Sequence, residues 1–306
     1  MQLCAGFSCL LLLLSSVVFC APLDHVKLIL DKPPVQSLRN IDYVYVINLD
    51  HRPQRWESTV EQLAPYGIIP YRFSAVNGKE LPIEVIWDLA VKFQHGMRAG
   101  GIGTVFRLDR GKEYLSYELI EEEGVPYLEH YRGRGMIGCL LSHLSVLYDA
   151  YCSGYQVIWV CEDDIEVVRD PTVLSNYIDD LDRLLGREHW DILFTFREYR
   201  GPQGQYLIPH GGNYRPNLEK RPQEEFDIDS PISPDLRQIG PRFGTHSMIL
   251  SQGGIKKILD FYQAYGVFMP YDLDLVLIPG IKMYSVMEDV VVNQFDSGSD
   301  IGSPPL

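Results

Sequence analysis

Apolar positions along the chain change period several times. Tyr43 to Leu49 reads YVYVINL, a near-continuous β-branched and aromatic run of the kind found in parallel strands covered on both faces. From Arg52-Pro53 onward the spacing becomes helical, with Trp56, Val60 and Leu63 recurring until Gly67 stops the pattern. A strand at residues 70–73 and a turn at Asn77-Gly78 complete a βαβ opening. Leu141, Leu144, Val146 and Leu147 predict a helix over 138–151, with Gly154 as its C-cap. The run QVIWVC at 156–161 is a second core strand. Residues 176–185 predict a helix and 190–196 a strand, followed by a strand at 247–250 and a helix at 252–265. Such alternation predicts an α/β fold with a mixed, mostly parallel central sheet flanked by helices.

Two stretches resist this reading. Residues 83–134, with Gly100, Gly101 and Gly103 close together, keep no sustained period and are expected to form mobile loops. The glycines follow no clear strand, which rejects a dinucleotide-binding loop. Residues 198–240, rich in Pro, Gly and Glu, read as a long insertion or lid within a domain spanning 41–296. Residues 22–40, with Pro33-Pro34, read as a linker, and 297–306 as a flexible tail.

The first 21 residues resemble a secretory signal peptide: an apolar core runs from Cys9 to Phe19 and Ala21-Pro22 follows. The core is shorter than the roughly 20 residues of a stable transmembrane helix. No Lys or Arg precedes it, which keeps an uncleaved membrane anchor open as the alternative. Either reading sends the chain to a secretory lumen (endoplasmic reticulum or Golgi), to secretion, or to a membrane tether. Beyond this segment only Cys139, Cys152 and Cys161 remain. None forms a CxxC pair, so a zinc site is not expected, although one disulfide stays open.

The chain has 306 residues, enough for one large or two small domains, and its 46% apolar and 22% charged content is that of an ordinary folded protein. Its net charge of -14, with no basic block, disfavours nucleic-acid partners. A small anionic ligand remains compatible, because one divalent metal and a few Arg side chains can neutralise a nucleotide diphosphate locally.

Candidate chemistry concentrates where the 156–161 strand ends, at Glu162, Asp163 and Asp164. Ligands of open α/β sheets bind beyond the carboxyl ends of strands. Three adjacent carboxylates repel one another unless a cation or donors compensate, and a hard ion such as Mn²⁺ or Mg²⁺ does so while also holding phosphate oxygens. The competing reading is a solvated helix cap. In PYDLDL, Asp272 and Asp274 would share one face of a strand, suiting a general base and its orienting partner, or an acceptor-binding pair; an exposed edge is the alternative. Arg52 and Arg55 could fork onto phosphate.

In order, VYVINLDHRPQR, FSAVNGKEL, GCLLSHLSVLYDA, VIWVCEDDIEV, WDILFTFR, MILSQGGIKKIL and MPYDLDL resemble glycosyltransferase family 25, which includes lipopolysaccharide and collagen hydroxylysine galactosyltransferases. The resemblance implies a GT-A-like nucleotide-binding fold and inverting transfer of a hexose, typically galactose, from a UDP-sugar to a glycan, lipopolysaccharide or glycoprotein acceptor, often with Mn²⁺. It places Asn48, Leu49, Arg52, Arg55, Ser142, His143 and Asp163 around the nucleotide-sugar, makes Glu162 and Asp164 metal ligands, and gives catalytic roles to Asp272 and Asp274. Asp191 matches its WD segment. A non-catalytic carbohydrate- or acceptor-binding relative of the same fold is the second reading, and a metal-dependent phosphohydrolase a third.

Overall fold

A computed structural model describes residues 22–294 apart from 36, 98–101, 130–132, 202 and 208–213. The expected leader and tail, and Gly100 and Gly101, lie outside the described residues. Strand β1 (Tyr43–Asn48), helix α1 (Pro53–Leu63) and strand β2 (Tyr71–Ser74) form the expected opening unit. Helix α2 (Ile83–Leu89), a hairpin of β3 (Ile102–Asp109) and β4 (Lys112–Leu119), and helix α3 (Arg134–Cys152) follow. Then come β5 (Val157–Glu162), α4 (Leu174–Leu185), β6 (Ile192–Phe194), β7 (Asp229–Pro231), β8 (Leu236–Ile239), β9 (Ser247–Ser251), α5 (Gln252–Tyr265), α6 (Tyr271–Leu275) and β10 (Met283–Val286).

Eight strands make the central sheet in the order β7-β8-β10-β6-β9-β5-β1-β2. The result is the expected mixed α/β architecture, consistent with a GT-A-like fold. The pairs β2–β1, β1–β5 and β6–β10 are parallel and the other four antiparallel, so the sheet is less parallel than its apolar strands suggest. Continuous apolarity reports burial on both faces, not strand direction. All six residues of β1 are buried. Tyr43, Tyr45 and Ile47 pack with Leu140, Leu144 of α3 and Ile255, Ile258 of α5. Val44 and Val46 face the other way, against Leu63 of α1 and Ile178 and Leu181 of α4. Helix α3, buried on 13 of its 19 residues, carries apolar side chains on nearly every side because sheet and α5 enclose it.

Three expectations need revision. Residues 83–134 are not loops: they contain α2 and the β3–β4 hairpin, whose exposed Leu108, Tyr114, Leu115, Tyr117 and Leu119 hide the two-residue period that strands show. Within 198–240, β8 lies inside the central sheet, with Leu236 fully buried, and Arg215 and Arg237 are buried too. Residues of the 22–40 segment lie against the body. Lys27 donates its backbone N–H to Ser145, Ile29 donates to Asp149 (2.9 Å), and the Lys32 ammonium pairs with the wholly buried Asp149 carboxylate beneath Tyr43, Tyr45 and Tyr155. Among the described residues no helix is long and apolar enough to cross a membrane.

Candidate functional site

Strand β5 ends at Glu162, and its parallel pairing with β1 sets Glu162 beside Ile47. Both carboxyl ends therefore open onto one edge of the sheet, where residues 75–79 and the first turns of α3 complete a cleft enclosing about 760 Å³, open solvent included. The 75–79 loop lies close on α3: a Cβ on Gly78 would fall 1.8 Å from the Arg134 carbonyl oxygen, and one on Gly138 would fall 2.5 Å from Gly78 N. Glycine at both positions is what lets loop and helix approach. Ser142 ties them, accepting the Val76 N–H (2.8 Å) while its hydroxyl donates to the Gly138 carbonyl (2.7 Å).

The three carboxylates go to three different settings. Glu162 Oε1 is 3.2 Å from His143 Nε2 and accepts the Thr245 hydroxyl at 2.9 Å. Burial pushes this carboxyl up, but His143 and Thr245 outweigh it and hold it below the ordinary range. Asp163 accepts from Asn48 Nδ2 (2.6 Å) and Arg55 Nη1 (3.2 Å), partners from β1 and α1; burial still leaves its carboxyl raised. Asn48 also donates to the Arg52 carbonyl, so Arg52 enters this network through its backbone. Asp164 differs. Its Oδ1 is buried with no hydrogen-bond partner among the described residues, and burial, then the charges of Glu162 and Asp163, push its carboxyl up to about 7. An unmet buried carboxylate oxygen costs about 1–3 kcal/mol or more. This donor set fits a hard divalent ion, whose charge would relieve both the missing contact and the mutual repulsion.

Of the site residues named from the sequence, Leu49, Arg55, Ser142, His143 and Glu162 to Asp164 line one cleft. His143 is buried and stacks on Tyr271 at 4.8 Å. The pairing of Asp272 with Asp274 does not hold. PYDLDL is helix α6, not a strand, and residues two apart on a helix point to opposite sides. Asp272 accepts the Gly244 N–H (2.8 Å), and its charge is felt at Cys139 and Tyr199 near the cleft. Asp274 points into the core, where Arg215 Nη1 sits 2.8 Å away and both side chains are fully buried. An acceptor hydroxyl has no access there, so a catalytic role for Asp274 is withdrawn. Asp191 accepts from Lys257 and the Lys282 N–H (both 2.7 Å) at the start of β6, the sheet edge opposite the cleft.

The sequence reading passed over several cleft residues. Lys79 stands exposed on the rim with His51, offering positive charge to a phosphate. Its signal is FSAVNGKEL, which serves in the sequence as a turn and a family motif without singling out Lys79. Cys139 also lines the cleft, four residues before His143, a spacing that the search for a CxxC pair does not weigh. Thr245 and Gly244 left no local signal. They are positioned by the 240–246 loop, in which Arg242 lies over Phe194 and Phe196 (3.9 and 4.0 Å) and His246 stacks on Phe196. Burial lowers Arg242 to about 9 and His246 to about 3, leaving the imidazole neutral.

Comparison with known proteins agrees with this geometry. The model of glycosyltransferase family 25 (LPS biosynthesis protein) matches residues 41–275. A glycosyltransferase 25 family member of Drosophila melanogaster is 26% identical over 191 residues, covering 62% of this chain and 26% of that protein. One from Aedes aegypti is 24% identical over 240 residues, 78% of this chain and 31% of its own length. An inactive glycosyltransferase 25 family member 3 of Mus musculus is 24% identical over 179 residues, 58% of this chain and 26% of that protein. The chain thus spans about a quarter to a third of these curated relatives. With the matched region running from β1 through α6 and including every carboxylate of the cleft, the chain belongs to glycosyltransferase family 25.

Proposed function

We propose that the chain is a metal-dependent inverting glycosyltransferase that moves a hexose, galactose by family resemblance, from a UDP-sugar to a hydroxyl of a glycan or glycoprotein in a secretory lumen. The observation that carries this reading is Asp164: a buried carboxylate oxygen without a hydrogen-bond partner among the described residues, in a cleft that also presents Arg55 and Lys79. Asp164, with Glu162, would hold Mn²⁺ or Mg²⁺. When bound, the ion supplies charge neutralisation for the departing diphosphate. Arg55, anchored by Asp163, and Lys79 on the rim are aimed to accompany the nucleotide's phosphates. Asp163 orients Asn48 and Arg55 and stays engaged with them.

Asp272 takes the role of base. Its carboxylate would accept the acceptor's hydroxyl proton as that oxygen bonds to the anomeric carbon and the bond to the UDP oxygen breaks on the opposite face, inverting the centre. The test is UDP release from UDP-galactose, UDP-glucose and UDP-N-acetylhexosamines, with and without Mn²⁺, for wild type and Asp164→Ala. Release that needs both the metal and Asp164 supports the proposal. Full metal-dependent release by Asp164→Ala overturns it. The inactive mouse relative, as similar to this chain as the mosquito one, favours a second reading, in which the cleft binds sugar or acceptor without turnover. Nucleotide-sugar binding with no UDP release under any condition would select that one.

A further inference from the structure

Cys139 and His143 lie four residues apart on α3, so the helix stacks them on one face, the spacing at which one helix offers two ligands to one ion. Glu162 meets them from the end of β5. One ligand atom from each, the Cys139 sulfur, a His143 ring nitrogen and a Glu162 carboxylate oxygen, falls within 4.8 Å of the other two. The closest edge, His143 Nε2 to Glu162 Oε1, is 3.2 Å. Ligand bonds of about 2.0–2.3 Å around tetrahedral zinc imply edges of roughly 3.2–3.8 Å, so side-chain adjustment of about 1 Å closes the set. His143 is 1% exposed, and Glu162 at Nε2 is its one hydrogen-bond partner among the described residues, so the ring nitrogen that meets Glu162 is held by nothing else there. All three residues line the cleft, so the fourth position of an ion held there faces an open path.

We propose that Cys139, His143 and Glu162 form a site for a thiophilic divalent cation of the Zn²⁺ class, separate from the oxygen-only corner at Asp164. Thiol, imidazole and one carboxylate select a borderline-soft ion, whereas carboxylates and phosphates select Mn²⁺ or Mg²⁺. The proposal goes beyond the transferase reading and stands whether or not the chain turns over a sugar nucleotide. It carries a consequence for that reading. Glu162 belongs to both ligand sets, so an ion at the thiol site draws this carboxylate away from the other, and Zn²⁺ inhibits Mn²⁺-supported turnover.

Cobalt titration of the full chain tests the site by a readout that needs no activity, since a thiolate bound to Co²⁺ gives a charge-transfer band in the near ultraviolet. Wild type should show this band with one equivalent of Co²⁺ and lose it on adding Zn²⁺. Cys139→Ser should abolish it, His143→Gln should weaken Co²⁺ affinity at least about tenfold, and Cys152→Ser, outside the cleft, should leave it intact. Asp164→Asn should keep the band while losing Mn²⁺ binding. No band in wild type, a band that survives Cys139→Ser, or a band lost with Asp164→Asn would overturn the proposal. If Cys139→Ser does not fold, alkylation of wild type read by mass spectrometry replaces it. Zn²⁺ should protect the Cys139 peptide, and equal labelling with and without Zn²⁺ would overturn the site.

Discussion

Asp164 and Asp274 are both buried carboxylates whose acidity the fold weakens, to about 7 and about 6, with burial the largest cause in each. Their surroundings differ. Asp274 faces a guanidinium at 2.8 Å in a sealed core, and Arg215 continues from it to the carbonyls of Tyr265 and Gly266. Oδ1 of each lacks a hydrogen-bond partner among the described residues, but Asp164 stands at an open cleft with two carboxylates as sequence neighbours and no guanidinium paired to it there. The first arrangement joins the 214–218 segment to α5 and α6. The second is an uncompensated charge, held in place by a strand that the rest of the sheet secures. Burial and a shifted pKa are shared by structural and functional acids; what separates them is whether the compensating cation is part of the chain.

The largest effect that would sharpen this contrast is expected from Arg215→Ala, which leaves the Asp274 charge buried and unpaired. Unfolding in urea should show a loss of about 3–5 kcal/mol, and a loss below about 1 kcal/mol would remove the structural role assigned to the pair. Next in size, Asp272→Asn should slow transfer by about 10²–10⁴-fold with stability nearly unchanged. Unaltered turnover in a steady-state UDP-release assay would take Asp272 out of the reaction. Asp164→Asn should lower Mn²⁺-dependent release roughly 100-fold or more and, in the opposite direction, stabilise the metal-free protein at pH 8. The sign follows from linkage: the folded state holds the Asp164 proton up to about pH 7, the unfolded state only to the ordinary carboxylate range. Metal-free stability therefore falls as pH rises between those values, and the Asn variant should lack that fall. Denaturation at pH 5 and pH 8, with and without Mn²⁺, checks it. The smallest effect belongs to Lys79→Ala on the exposed rim. It should weaken UDP binding about tenfold at low salt, less at high salt, with no change in melting temperature.

Much of the sheet was legible because buried strands announce themselves. YVYVINL and QVIWVC fall within one residue of β1 and β5, and the helix at 252–265 was read to its ends, since its N-cap Ser251 and the αβ change of period are local signals. The β3–β4 hairpin was not legible. Its outer face keeps apolar side chains in solvent, so no alternation marks it. Strand β8 was hidden for the opposite reason, because a buried Arg237, paired with Glu198, interrupts its apolar pattern.

The acidic triplet, its place after a buried strand and the ordered family motifs were determined by the sequence alone, since each depends on residues adjacent in the chain. Only the tertiary structure decided what each carboxylate does. Asp163 meets Asn48 across 115 positions and Thr245 reaches Glu162 across 83. Asp272 and Asp274 parted because α6 turns about 100° per residue where a strand would alternate. Partners so distant in sequence are chosen by the packing of sheet and helices, and a carboxylate's charge, access and chemistry are set by those partners.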